Sequence, residues 1–171
     1  MKINDNIYLI GFMGTGKSTI ALELKNNTKK DIIEMDEMIV KNQGMTINEI
    51  FEKHGEEYFR KLETDLLNRI CKEGNKIVSC GGGVAIREEN VSIMKQSGKI
   101  ICLLAEPETV FQRIKESKSR PILNENMNVE FISDLMDKRR KYYLVAADMA
   151  VKTDGKTIGE ICREIVEYCN D

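Results

Sequence analysis

The 171-residue chain has one histidine, His54, and no two of its five cysteines are spaced Cys-x-x-Cys. A zinc site built on histidine or clustered thiolates is therefore disfavoured. The odd cysteine count argues against a disulfide framework, and reduced thiols in a cytoplasmic protein are expected. Cys80 reads as a small buried hydrophobe and His54 as a surface or loop residue. Long hydrophobic runs are missing too. The longest, residues 100–105, suits a buried strand and is too short to span a membrane. The first residues, Met1-Lys2-Ile3-Asn4-Asp5-Asn6, lack the apolar centre of a signal peptide. Charge of one sign is also lacking: 26 basic residues face 28 acidic ones. The near balance makes a nucleic acid an unexpected partner. No repeat, low-complexity tract or Pro/Gly/Ser linker divides the chain, so residues 1–171 are expected to form one domain, acting as a monomer. With 42% hydrophobic residues it can bury a real core.

What is present is Gly11-Phe12-Met13-Gly14-Thr15-Gly16-Lys17-Ser18-Thr19, a complete Gly-x-x-x-x-Gly-Lys-[Ser/Thr] motif. Apolar Ile7-Tyr8-Leu9-Ile10 precedes it and an amphipathic stretch follows, which supplies the strand–loop–helix context the motif needs. Glycines free the backbone to turn successive N–H groups into one concavity that holds phosphate oxygens. The helix start adds unpaired N–H groups and its positive dipole end. Gly14, Thr15, Gly16, Lys17, Ser18 and Thr19 are thus expected to bind ATP. Lys17 reaches the outer phosphates, and the Ser18 hydroxyl can ligate Mg²⁺.

Short apolar runs alternate with amphipathic segments along the rest of the chain. Strands are expected at 7–10, 31–34, 76–79, 99–104 and 149–152. Helices are expected at 17–26, 36–41, 47–53, 57–72, 88–97, 108–114, 129–146 and 158–169. Thr46 with Glu49, and Thr157 with Glu160, read as capping boxes. The alternation predicts an α/β fold with a parallel sheet covered on both faces. Two connections are longer than a crossover needs. The segment at about 36–63 reads as a substrate-binding insertion, and the polar stretch at about 115–127 as a mobile lid.

Further candidates fall at strand ends, where ligands bind open parallel sheets. Glu34 and Asp36 close the second strand; in extended chain they face one side, one for metal and one for an acceptor hydroxyl. Asp36 is equally suited to cap a helix. Arg60, early in an amphipathic helix with Phe59, Leu62 and Leu66, can fork onto a carboxylate or pair with Glu63. Ser79 and the triplet Gly81, Gly82 and Gly83 follow the third strand, where backbone can approach a ligand closely. Arg113, Lys115, Lys118 and Arg120 cluster in and before the lid. Lys138-Arg139-Arg140-Lys141-Tyr142-Tyr143 forms a basic patch suited to an anionic acceptor.

These pieces, in this order and over nearly the whole chain, resemble the shikimate kinases, a branch of the nucleoside-monophosphate-kinase-like P-loop proteins. The matching residues are the motif at 11–19, the acids at 34 and 36, Phe59-Arg60 with Glu63, Gly81-Gly82-Gly83, Arg120-Pro121 with Leu123, and Arg139 with Tyr143. The resemblance implies a five-stranded parallel sheet in order 2-3-1-4-5 flanked by helices. It implies transfer of the ATP γ-phosphoryl group to the 3-hydroxyl of shikimate, a step toward chorismate. Lys17, Asp36 and Arg120 would be catalytic, with Asp36 on the reacting hydroxyl. Arg60 and Arg139 would hold the shikimate carboxylate beside Gly81, Gly82 and Gly83. Arg113 would lie near adenine with Arg120 over the phosphates, and Mg²⁺ would sit on Ser18, with Glu34 acting through water. The chain departs from the family's usual Asp-x-Asp in having Glu34-Met35-Asp36. The alternatives are another small-molecule kinase, for gluconate or a nucleoside monophosphate, and a P-loop module without catalysis.

Overall fold

The structure, a computed structural model, describes residues 5–116 and 128–170. Chain order is β1 (Asn6–Ile10), α1 (Lys17–Thr28), β2 (Asp31–Glu34), α2 (Met35–Gln43), α3 (Ile47–His54), α4 (Glu56–Glu73) and β3 (Lys76–Ser79). A 3₁₀ turn (Val84–Ile86) follows, then α5 (Glu88–Ser97), β4 (Gly98–Leu104), α6 (Pro107–Glu116), α7 (Val129–Ala146), β5 (Met149–Lys152) and α8 (Ile158–Asn170). The five strands form one sheet in order β2-β3-β1-β4-β5, every neighbouring pair parallel. The expected α/β class and strand order hold.

Burial explains why β1 lies at the centre. All five of its residues are buried, and alternate side chains leave opposite faces. Ile7 and Leu9 join Ile77, Ile101 and Val151 beneath α1 and α8, through Leu24 and Ile165. Tyr8 and Ile10 join Val78 and Ile100 on the other face, beneath α2 to α7, through Leu67, Met94 and Tyr143. A sheet buried on both sides reads as continuous apolar runs, which is why its strands stood out in the sequence.

The long β2-to-β3 connection holds α2, α3 and α4. Helix α3 opens with the expected capping box: Glu49 N–H donates to Thr46 Oγ1, and Thr46 N–H donates back to Glu49 at 2.7 Å. Thr157 and Glu160 make the same exchange ahead of α8. Helix α2 begins one residue earlier than expected, at Met35, with Glu34 in the flanking extended position. Asp36 therefore does not cap the helix and does not share an extended run with Glu34; it sits in the first helical turn. In α4 the buried face includes Phe59, Glu63, Thr64 and Leu66, whereas Leu62 is only partly buried.

Each strand ends at the same edge of the sheet, and the connections leaving that edge build one cleft. Gly11 marks the first. Its φ is +141°, and a Cβ there would lie 2.5 Å from Leu103 O on β4, so glycine is required for the loop to leave β1.

Candidate active site

The cleft has a volume of about 710 Å³. Its first wall is the loop between β1 and α1. Thr15 Oγ1 donates to Phe12 O at 2.8 Å and braces the turn from inside. Lys17 Nζ donates to Gly11 O and Phe12 O at 2.9 and 3.0 Å, so its charge lies over the loop. The helix that follows is unlike α3 and α8. Its cap position is Gly16, no side chain caps it, and its first turn carries no acid. Its leading N–H groups and positive dipole end are left for an anion. Gly14, Thr15, Gly16, Lys17, Ser18 and Thr19 all line the cleft. Arg113 joins them from α6, donating to Gly14 O at 3.3 Å and to Thr153 Oγ1 at 3.2 Å.

The ends of β2 and β3 carry the acids. Glu34 and Asp36 both line the cleft even though one belongs to the strand end and the other to α2. Burial pushes the Glu34 carboxyl up, while the Ser79 and Ser18 hydroxyls pull it back down. These three side chains form a set of hard oxygen donors beside the phosphate loop. No group of three or more His, Cys, Asp or Glu able to hold a metal exists among the described residues. Few protein oxygens, with the rest of the shell left to water and phosphate, is the pattern that suits Mg²⁺.

The glycines after β3 meet two arginines. Arg139 of α7 packs against Gly82, where an added Cβ would lie 3.3 Å from its Nη1. A Cβ on Gly83 would overlap the Arg60 guanidinium itself. Gly82 and Gly83 thus line the cleft so that both guanidiniums can approach the backbone. Gly81 turns toward acids instead: a Cβ there would point at Asp36 and Glu63. Arg60 is not the solvated arginine its spacing to Glu63 allowed. Its Nη1 donates to Glu63 Oε2 at 2.8 Å, and Glu63 is 1% exposed. Glu56 takes its other side at 3.0 Å. Burial alone would lower the Arg60 guanidinium, but the two carboxylates raise it.

The helix periodicity splits the basic patch of α7. Arg139 faces the cleft, its Cζ 5.8 Å from the Phe12 ring centre, and buried Tyr143 donates to Gly82 O at 2.6 Å. Lys138, Arg140 and Lys141 are exposed. Cys80 is buried at the end of β3, and burial pushes its thiol far up, so it is the inert hydrophobe expected. His54 ends α3, exposed, with its ring 4.6 Å from that of Tyr58. Arg120 and the remainder of the lid, residues 117–127, lie outside the described residues.

Sequence reasoning missed two features. Thr153 and Lys156, just past β5, line the cleft. The strand-end rule that picked out Glu34 and Gly82 applies equally there and would have named them. The burial of Glu63, by contrast, follows only from how α4 is rotated in the fold.

Comparison with known proteins agrees with this geometry. The family model described as shikimate kinase matches residues 13–170. The shikimate kinase of Dehalococcoides mccartyi is 38% identical over 96% of this chain and 93% of its own. A solved structure of shikimate kinase from Acinetobacter baumannii in complex with shikimate superposes with a TM-score of 0.87 at 30% identity, covering 96% of this chain and 92% of that one. The Aquifex aeolicus shikimate kinase structure gives 0.79 at 35% identity, covering 96% of each chain. A phosphate loop, the acids Glu34 and Asp36 and two arginines on a glycine turn share one cleft, and the similarity runs nearly the full length: the chain belongs to the shikimate kinase family.

Proposed function

We propose that the protein transfers the γ-phosphoryl group of ATP to the 3-hydroxyl of shikimate, giving shikimate 3-phosphate and ADP. The observation that carries this reading is the convergence of Arg60 and Arg139 on Gly82 and Gly83, in the same cleft as the phosphate loop. Two guanidiniums aimed at one turn suit a carboxylate, which accepts forked hydrogen bonds. A polyol without a carboxylate gives them no task.

ATP binds with its phosphates on the 11–16 loop and the start of α1, and Arg113 beside Thr153 flanks the base. Lys17 leaves its carbonyl partners for the outer phosphates and, with Arg120, offsets the charge of the transferring group. Asp36 accepts the hydrogen bond of the acceptor hydroxyl, orients its oxygen toward the γ-phosphorus and takes its proton. Arg60 and Arg139 hold the acceptor's carboxylate. Ser18 would hold Mg²⁺, with Glu34 and Ser79 supporting it through water, and glutamate in place of aspartate keeps that charge. When bound, the ion neutralises charge on the phosphates. The segment at 36–63 supplies acceptor contacts and the one at 115–127 serves as the lid. No helix among the described residues is long and apolar enough to cross a membrane, and the chain is read as a cytoplasmic monomer with reduced thiols.

The test is ADP production with shikimate, quinate, gluconate and CMP as acceptors. Turnover with shikimate far above the other three is expected. A preference for gluconate or CMP, or ATP binding without turnover, would overturn the reading.

A further inference from the structure

Glu63 is a buried acid whose hydrogen bonding is incomplete. Its Oε2 accepts from Arg60, and its Oε1 is buried without a hydrogen-bond partner, alone in this among the described side-chain nitrogens and oxygens. A carboxylate oxygen cut off from both water and donors is costly, and native structures rarely leave one.

Gly81 shows what that oxygen faces. A Cβ built there would lie 2.9 Å from Glu63 Oε1 and 2.8 Å from Asp36 Oδ1. Two carboxyl oxygens from different helices, one buried on α4 and one on a cleft-lining residue of α2, therefore both lie within 3 Å of a single point. Two acids in such a space cannot both ionise cheaply, and a proton on one resolves the conflict. Every charged neighbour bears on the balance. Burial pushes the Glu63 carboxyl up, Arg60 on its own helix pulls it down, Asp36 from α2 pushes it up again, and Arg87 beyond the 3₁₀ turn draws it down. Arg87 is itself paired to Glu57, and the neighbouring Cys80 thiol at the end of β3 stays neutral.

An arriving acceptor changes this balance. Its carboxylate on Arg60 would compete with Glu63 for the same guanidinium and add a further negative charge beside it. We propose that Glu63 takes up a proton on Oε1 when the acceptor's carboxylate binds Arg60, and that the resulting acid donates to Asp36 Oδ1 and holds that side chain toward the acceptor hydroxyl. The inference rests on the acceptor reading given above. One O–H bond forms with a proton from the buffer, and the proton returns when product leaves. Glu63 is thus a positioning residue for Asp36, and its protonation couples binding to pH. Because the bound state carries the extra proton, affinity falls as pH rises.

The experiment is calorimetric titration of shikimate into the full-length protein, without nucleotide, in two buffers of different ionisation enthalpy. The wild type should give buffer-dependent heats equivalent to uptake of up to one proton. Its Kd should rise with pH by up to about tenfold per unit. Glu63→Gln, whose neutral amide can still donate to Asp36, should bind with equal heats in both buffers. A purely structural role as an anchor for Arg60 would weaken binding in Glu63→Gln without any proton uptake in the wild type. Difference infrared spectra of the wild type should also gain a carboxylic-acid band on adding shikimate, and this readout stands even if the variant does not fold. Equal wild-type heats and no acid band, with shikimate still bound and phosphorylated, would overturn this proposal alone. Unchanged uptake in a folded Glu63→Gln protein would overturn it as well. If shikimate neither binds nor is phosphorylated, the acceptor reading fails and the proton linkage falls with it.

Discussion

Lys17 and Asp36 carry the chemistry in opposite ways, one by charge and the other by accepting a proton. Lys17 rests on Gly11 O and Phe12 O, contacts that a neutral side chain of similar length can lose without disturbing the loop's internal brace at Thr15. Lys17→Met is expected to fold normally and to lose about 10²-fold or more in rate. Turnover assays beside a melting curve check this. Asp36 occupies the first turn of α2 while Glu34 holds the flanking cap position, so Asp36→Asn removes no cap. Its stability should change little. If Asp36 takes the hydroxyl proton, kcat should fall by about 10²–10⁴-fold with ATP binding intact. A variant within a few-fold of wild-type kcat would remove Asp36 from the reaction.

At the scale of elements, the turn after β3 is shaped by the arginines it must admit. Gly83→Ala places a methyl on the Arg60 guanidinium, and that guanidinium, the far end of a flexible side chain, must move off the turn to make room. The KM for shikimate should rise at least several-fold while that for ATP stays near wild type. A rise confined to ATP would place Arg60 elsewhere in the reaction. Helix α8 offers a pH test. The Glu160 carboxyl lies below the usual carboxylate range because Thr157 N–H and its hydroxyl donate to it. A depressed carboxyl stabilises the fold above its ordinary range and loses that contribution as pH falls through its lowered value. Protection factors in the first turn of α8, that is, exchange rates divided into the intrinsic rate at each pH, should therefore fall on acidification, and Thr157→Ala should flatten that dependence. The capping of α3 and α8 was legible from a threonine and a glutamate three residues apart. The rotation of α4 was not. Spacing allowed Arg60 either to reach a ligand carboxylate or to pair with Glu63 at i,i+3, and only the packing of α4 in the fold shows that the acid is buried.

Across the molecule, two apolar layers hold the sheet edge on which the cleft is built. Leu24, fully buried on α1, ties the helix behind the phosphate loop to β1 and α8. Leu24→Ala should cost about 2–5 kcal/mol, read from urea unfolding, because the tightly packed layer collapses only in part around the lost atoms. The variant should still turn over at low temperature, since no cleft residue is altered.

Legible in the sequence alone were the strands, most of the helices, the phosphate loop and the acid that ends β2. Those features are local: period-2 or continuous apolar runs, glycine at set spacings, hydroxyl and acid three residues apart. The tertiary structure decided what depends on residues far apart in the chain. It gave Gly82 and Gly83 to Arg139 and Arg60, divided the basic run of α7 into a cleft face and a solvent face, and turned Gly81 toward Asp36 and Glu63. It also buried Glu63 against Asp36, because close packing places side chains from separate helices at one point, and no spacing along a single helix encodes that meeting.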